Sequence, residues 1–164
     1  DQFSNEGNPW AHEMTTGPEI LSQIPEGKSI GAFVAGFGTG GTISGVGKAL
    51  GREFPDVRII AVEPLSSPLL TEGRAGPHKI QGIGANFVPK NLDRSVVTAY
   101  ERASDEDALR TAKWLASEEG LFSGISTGAN VWAALQEAKK LPKESIVVTV
   151  QPDRGDKYLS IFSA

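Results

Sequence analysis

A glycine-rich loop constrains the fold of this 164-residue chain more than any other feature. The motif GFGTGG, residues 36–41, follows an apolar run (IGAFVAG) and precedes a stretch that predicts a helix over 41–53. A strand, a glycine loop and a helix in this order begin an α/β unit, and the loop N–H groups and the positive end of the helix can hold a phosphate. The G-x-G-x-x-G spacing, with Glu63 ending the next apolar run, is also typical of a dinucleotide-binding turn. NAD and a phosphate monoester both stay open as ligands at this point, and so does a turn that binds nothing.

The rest of the chain predicts an alternation of strands and helices. Predicted strands lie at about 30–36, 57–63, 96–100, 121–125 and 145–150, and predicted helices at about 17–25, 41–53, 105–119 and 127–140. Thr16 and Glu19 predict a capping box, Ser104 predicts another helix cap, and residues 1–14 predict an irregular segment. The alternation indicates a single α/β domain over residues 1–164, with a parallel sheet and helices on both faces. The loops GFGTGGT, GISTGA and QPDRGD follow predicted strands, so we expect them to converge on one site.

Composition excludes several classes of function. The net charge is -4 and no basic stripe is present, which argues against a nucleic-acid partner. No window approaches the roughly 18 apolar residues of a membrane span, so no membrane partner is expected and the default compartment is cytoplasmic. The chain has no cysteine and two histidines, so neither a disulfide nor a metal site is expected.

Several longer segments, taken in order, resemble the cysteine synthase (O-acetylserine sulfhydrylase) family. They are TTGPEI (15–20), GTGGTISGVGKAL (38–50), GPHKIQGIGANFVP (76–89), EEGLFSGISTGA (118–129) and DRGDKYLS (153–160). The resemblance implies the tryptophan-synthase β fold (fold type II) and pyridoxal 5'-phosphate (PLP) as cofactor. It also implies β-replacement of acetate in O-acetylserine by sulfide, through an α-aminoacrylate intermediate, in cysteine biosynthesis. The glycine loop is then expected to hold the PLP phosphate, and NAD becomes a distant alternative.

The resemblance assigns roles to individual residues. Those assigned to the cofactor are Gly38, Thr39, Gly40, Gly41 and Thr42 at the phosphate and Ser126 at the pyridine nitrogen. Those assigned to the substrate are Gln2, Phe3, Gly82 and Gly84. From the residues alone, Ser126 is predicted to be a helix N-cap, a role that is compatible with the one at the cofactor. The residues alone also favour a solvated strand-end residue for Glu63 and a structural hydrogen-bonding group for His78.

The sequence departs from the family pattern in two ways that bear on function. Asp153 and Arg154 replace a serine pair, which leaves sulfide and thiosulfate open as sulfur donors, although a surface pair closing a turn is an equal interpretation. The lysine that forms a Schiff base with PLP lies in the family in a P-x-x-S-x-K segment, which this sequence lacks, so no catalytic residue is assigned. The chain is therefore expected to be a C-terminal portion of a two-domain enzyme, inactive alone. A cystathionine β-synthase-like or O-phosphoserine sulfhydrylase activity stays open.

The resemblance also implies partners. They are the N-terminal half of the enzyme and serine acetyltransferase, on which members of the family dock. A second copy in a homodimer is a separate hypothesis, because the chain lacks strands against which its sheet is expected to pack.

Overall fold

The structure of the protein is a computed structural model that describes residues 1–162. Four strands are present: β1 (Ile30–Gly36), β2 (Arg58–Pro64), β3 (Ala99–Ala103) and β4 (Ile146–Thr149). The helices are α1 (Gly7–Ala11), α2 (Gly17–Ser22), α3 (Gly41–Glu53), α4 (Leu69–Glu72), α5 (Asp105–Glu118), α6 (Ile125–Ala138) and α7 (Leu159–Phe162). A π-helical segment (His12–Thr16) joins α1 to α2, and a 3-10 helix (Gly155–Tyr158) precedes α7.

The four strands form one sheet in the order β3-β2-β1-β4, and every pairing is parallel. Val34 of β1 pairs with Ile60 of β2 on one side and with Thr149 of β4 on the other. Parallel neighbours need crossover connections, which the intervening helices supply. The predicted α/β class with a parallel sheet is confirmed.

Alternate residues of the strands belong to two apolar cores, one on each face of the sheet. On one face Val34 and Ile60 pack with residues of α5 and α6, including Ala108 and Ala129. The opposite core contains Phe33, Ile59 and Ala61 from the strands and Ile43, Val46 and Leu50 from α3. Both central strands are buried on both faces, as near-continuous apolar runs of a parallel sheet should be.

The N-terminal segment is more ordered than the sequence predicted. Residues 7–22 form an almost continuous helical run instead of an irregular segment and a capped helix. Thr16 has helical backbone angles and makes no side-chain cap, so the predicted capping box is wrong. Its hydroxyl hydrogen-bonds His12 Nδ1 at 2.9 Å instead. Two glycines let this helical run lie directly on α3. A Cβ on Gly45 of α3 would be 2.2 Å from the Pro9 carbonyl oxygen, and a Cβ on Gly17 of the run would be 2.3 Å from the Ala49 Cβ.

Other boundaries also differ from the prediction. The strand expected at 96–100 begins at Ala99, because Thr98 uses its N–H and its hydroxyl to bond the Ile59 carbonyl at the start of β2. The stretch expected as a strand at 121–125 makes only one isolated antiparallel bridge, Ser123 to Arg154. Helix α6 begins at Ile125, and its N-cap is Gly124. The Ser104 cap is confirmed by a 3.0 Å bond from the Asp107 N–H.

Candidate cofactor site

A cavity of about 710 Å³ opens at the carboxyl ends of β1 and β4. It is lined by Gln2, Phe3, His12, Thr16, Gly36, Gly38, Thr39, Thr42, Gly82, Ile83, Gly84, Ala85, Ser126, Val150, Gln151, Pro152 and Asp153. The three polar loops predicted to converge all contribute to this wall, so that prediction is confirmed. Asn130 of α6 links the carboxyl ends of β1 and β4 beside the cavity. Its side chain accepts from the Gly36 N–H at 2.7 Å and donates to the Val150 carbonyl at 3.1 Å.

The glycine loop takes a shape that other residues could not adopt. Gly40 has φ +82°, and a Cβ there would lie 2.7 Å from Leu92. A Cβ on Gly38 would lie 2.4 Å from the carbonyl oxygen of Gly82. The glycine loop therefore contacts the turn that contains Gly82 and Gly84, which we call the second glycine segment. Helix α3 starts immediately after this loop without a side-chain cap, which leaves its positive end available to an anion. Gly40 and Gly41 shape the turn, while Gly38, Thr39 and Thr42 line the cavity.

The hydroxyl of Thr39 is prepared to donate into the cavity. It accepts hydrogen bonds from the Asn8 side-chain amide at 3.0 Å and from the Gly41 N–H at 3.2 Å. A hydroxyl has two acceptor sites and one proton, so both acceptor sites are used. The Thr39 hydroxyl can therefore interact with a ligand only by donating its proton.

The second threonine of the loop contacts a histidine that the sequence analysis did not single out. Thr42 Oγ1 lies 3.2 Å from His12 Nε2, and His12 Nδ1 lies 2.9 Å from Thr16 Oγ1. Burial lowers the pKa of His12, which favours the neutral imidazole near pH 7. A π-helical segment, often found at functional sites, presents this side chain to the cavity.

Ser126 lines the cavity from the first turn of α6 and is 4% exposed. It is not the N-cap, because Gly124 occupies that position, so the alternative interpretation of Ser126 as a cap is wrong. A Cβ on Gly82 would lie 3.9 Å from Ser126 Oγ, which places the serine hydroxyl next to the second glycine segment. Ser126 is therefore positioned to meet a ligand that extends from the glycine loop.

The four residues assigned to the substrate also line the cavity. The carbonyl oxygen of Gln2 accepts from the side-chain amides of Asn8 and Asn91, each at 2.8 Å, which anchors this segment. Phe3 stacks edge-on against Phe87 with ring centroids 5.2 Å apart. Gly82 and Gly84 have φ +94° and +70°, so glycine is required at both turns. His78 Nε2 bonds the Gly84 carbonyl at 3.0 Å, as expected of a structural group.

Asp153 is a cavity residue and not half of a surface pair. Its Oδ2 accepts from the Tyr158 hydroxyl at 2.5 Å, and its buried Oδ1 has no hydrogen-bond partner within residues 1–162. Arg154 points outward and pairs with Asp156 at 3.2 Å. The sequence interpretation as a pair closing a turn is therefore wrong for Asp153, which adds a carboxylate to the cavity.

Glu63 is fully buried and cannot meet a ribose. Its carboxylate accepts from the Leu70 N–H at 2.9 Å, the Thr71 N–H at 3.2 Å and the Thr71 hydroxyl. Both oxygens are thus used at the start of α4, and the expectation of a solvated residue is wrong. The NAD alternative loses the residue on which it depended.

No lysine is among the described residues that line the cavity. Lys48 pairs with Asp93 at 3.0 Å, away from the glycine loop, and Lys140 pairs with Glu101 and Glu137. Lys79 is exposed.

The cavity fits a phosphorylated pyridine. Its glycine loop excludes Cβ atoms where a phosphate would approach the backbone, one threonine proton is free to donate, and a buried serine hydroxyl lies beside the second glycine segment. A parallel α/β sheet with such a cradle beyond its strand ends defines a phosphate-cofactor enzyme domain.

The chain belongs to the pyridoxal-phosphate-dependent enzyme family, whose pattern it matches over residues 1–153. It is 50% identical over 159 residues to the cysteine synthase of Staphylococcus aureus, covering 97% of this chain and 51% of the relative. It is 45% identical over 161 residues to the O-ureido-L-serine synthase of Streptomyces lavendulae, covering 98% of this chain and 49% of the relative.

Solved structures agree with the sequence relatives. The crystal structure of the O-acetylserine-dependent cystathionine β-synthase from Helicobacter pylori superposes with a TM-score of 0.90 at 42% identity. That match covers 97% of this chain and 51% of the other. The chain thus spans about half the length of the relatives it matches, and the predicted resemblance to cysteine synthases and their fold is confirmed. None of the described helices is long and apolar enough to cross a membrane.

Proposed function

We propose that this chain is the cofactor-binding part of a PLP-dependent β-replacement enzyme that makes cysteine from O-acetylserine and sulfide. The observation that carries the proposal is that the glycine–threonine loop, Ser126 and the Gln2 segment meet in one cavity. The similarity to cysteine synthases supports the same assignment. Residues 1–164 are then one α/β unit of a larger enzyme whose other half supplies the covalent lysine.

Each cavity residue has a role in this proposal. Thr39 donates its free proton to the cofactor phosphate, and Thr42, oriented by His12, supplies a second hydroxyl. Ser126 would hold the ring nitrogen through a neutral hydroxyl, which adds no charge beside the ring. PLP, when bound, supplies an electron sink for the bonds at the substrate Cα.

The substrate end of the cavity is formed by Gln2 and the two glycines at 82 and 84. The Gln2 side chain is proposed to bind the substrate carboxylate, because its backbone carbonyl is already anchored by two amides. Phe3 and Ile83 provide apolar walls that exclude water from the reacting carbon.

A second candidate differs only in the nucleophile. The relatives include an enzyme named for O-ureido-L-serine and one named as an O-acetylserine-dependent cystathionine β-synthase, so related sites accept different nucleophiles. Homocysteine in place of sulfide would make this chain part of a cystathionine-forming enzyme.

The test uses the purified protein that carries this chain. O-acetylserine or O-phosphoserine is supplied with sulfide, thiosulfate or homocysteine, and the amino-acid product is identified by mass spectrometry. We expect cysteine from O-acetylserine and sulfide at the highest kcat/KM. Cystathionine as the faster product would select the second candidate, and no product from any pair would contradict both.

A binding assay separates the cofactor assignment from the reaction. The chain is dialysed against PLP, and retention is compared between Ser126→Ala and the matched variant Ser123→Ala. Ser123 is a buried serine just before α6 that is not among the residues lining the cavity. We expect only Ser126→Ala to weaken retention, and equal effects would remove Ser126 from the cofactor site.

A further inference from the structure

Asn8 connects the two ends of the cavity through one side chain. Its amide nitrogen donates to the Gln2 carbonyl oxygen at 2.8 Å and to Thr39 Oγ1 at 3.0 Å. The amide has two N–H protons, and the Gln2 carbonyl can only accept, so the nitrogen and not the oxygen must face both partners. Residue 2 lies at the proposed substrate end and residue 39 at the proposed phosphate end.

The same side chain explains the last glycine of the loop motif. A Cβ on Gly41 would lie 1.9 Å from Asn8 Oδ1 and 2.4 Å from its Cγ. In a dinucleotide-binding turn the third glycine allows a helix to approach a strand. Here Gly41 instead makes room for a side chain from α1, which brings that amide to the hydroxyl of Thr39.

The direction of the Thr39 proton depends on this contact. With Asn8 and the Gly41 N–H donating to it, the hydroxyl has no acceptor capacity left and can only donate. Without Asn8 the hydroxyl can rotate and accept from water or from a ligand donor, and its proton is no longer committed to the cavity.

We propose that Asn8 is a positioning residue that commits the Thr39 hydroxyl to donate to the cofactor phosphate and ties that phosphate site to the Gln2 segment. The proposal deepens the assigned function and depends on it. Asn8 does not line the cavity, so it acts through Thr39 and Gln2 and not by touching the ligand.

The experiment compares the affinities of PLP and of pyridoxal, which lacks the phosphate, by equilibrium dialysis with the full chain. Asn8→Ala is expected to weaken PLP binding about tenfold, since a hydrogen bond to a charged group is involved, and to leave pyridoxal unchanged. Thr39→Val is expected to have the same effect. The double variant is expected to be little worse than either single one, because both remove the same interaction.

Asn91→Ala is the matched control. Asn91 donates to the same Gln2 carbonyl at 2.8 Å, but its amide does not bond Thr39. If Asn8 acts only by holding the Gln2 segment, the two alanine variants should behave alike, and that result would overturn the proposal. An Asn8→Leu variant has a similar shape, removes both donated bonds and adds no charge beside the phosphate site, so it replaces Asn8→Ala if the alanine variant does not fold.

The outcomes distinguish this proposal from the one on which it depends. A wild-type chain that binds PLP no more tightly than pyridoxal would remove the phosphate assignment itself and this role of Asn8 with it. A wild-type preference for PLP that survives in Asn8→Ala would leave the cofactor assignment in place and overturn only the positioning role.

Discussion

The carboxylate of Asp153 occupies the space that a side chain on Gly124 would need. A Cβ on Gly124 would lie 2.0 Å from Asp153 Oδ1 and 2.8 Å from the Tyr158 ring. The backbone of Gly124 has φ -71° and ψ 169°, which any residue can adopt. Glycine is therefore required at position 124 because a larger side chain would clash, and not because of its backbone angles. The loop after β4 packs against the start of α6.

This contact predicts the effect of Gly124→Ala. The added methyl group must displace Asp153 or Tyr158, and we expect a loss of about 1–3 kcal/mol in the free energy of unfolding. Urea denaturation followed by circular dichroism measures it. Gly51→Ala is the control, because a Cβ there meets nothing within 4 Å and lies in an exposed helical position, where alanine should be neutral or stabilising. A Gly124→Ala protein as stable as Gly51→Ala would show that the loop is not seated as described.

The hydrogen bond between Tyr158 and Asp153 predicts a dependence of stability on alkaline pH. This bond, together with burial and the charge of Asp153, raises the pKa of Tyr158 to about 12. A raised folded-state pKa means that the stabilisation is complete below the pKa of the unfolded chain, about 10. It should be lost as the pH rises from about 10 to 12. The Tyr158→Phe variant should show a smaller loss over that interval, and equal curves for the two proteins between pH 9 and 12 would contradict the assignment.

The glycine loop and the sheet could be predicted from sequence because both follow from local rules. β1 and α3 were predicted at the observed boundaries, since an apolar run, a glycine turn and an amphipathic helix are contiguous signals. Asn8 could not be found in this way, and Asp153 was noted only through the family resemblance, which did not show its place in the cavity. Their importance comes from contacts with residues 31 and 29 positions away, and nothing in their immediate neighbours indicates those contacts.

Glu63 shows how a local pattern can mislead. A strand-end glutamate after a G-x-G-x-x-G loop favours a ribose contact, but the first turn of α4 folds back and uses both carboxylate oxygens. Periodicity predicts that a strand ends there, and only the tertiary structure shows what the side chain meets.

The burial of Glu63 predicts a structural effect without an effect on nucleotide binding. Glu63→Ala removes the buried carboxylate that accepts from the N–H groups of Leu70 and Thr71, and we expect a destabilisation of about 1–3 kcal/mol. The exposed Glu53→Ala should change stability by less than about 0.5 kcal/mol. NADH fluorescence is expected to be unchanged by the wild-type chain and by either variant. An enhancement with wild-type protein that Glu63→Ala abolishes would restore the dinucleotide alternative.

A buried carboxylate on α6, that of Glu137, predicts a test by paired substitutions. Glu137 is 0% exposed and accepts from Arg58 Nε at 3.0 Å and from Lys140 Nζ at 2.6 Å. Burial raises the pKa of Glu137, but the hydrogen bond from Lys140 and the positive charge of Arg58 outweigh it, so the net pKa is lowered. The carboxylate therefore stays charged at neutral pH and needs its partners.

Removing Arg58 alone should lower the free energy of unfolding more than removing Arg58 and Glu137 together. Arg58→Met leaves the buried charge with Lys140 alone, and we expect a loss of about 1–3 kcal/mol in the free energy of unfolding. Adding Glu137→Leu to Arg58→Met should recover part of that loss, because an apolar pair of similar volume has no charge to desolvate. Urea denaturation of wild type, both single variants and the double variant at pH 7 measures the coupling. A double variant less stable than Arg58→Met would mean that Glu137 stabilises the fold mainly through Lys140 and not through the pair with Arg58.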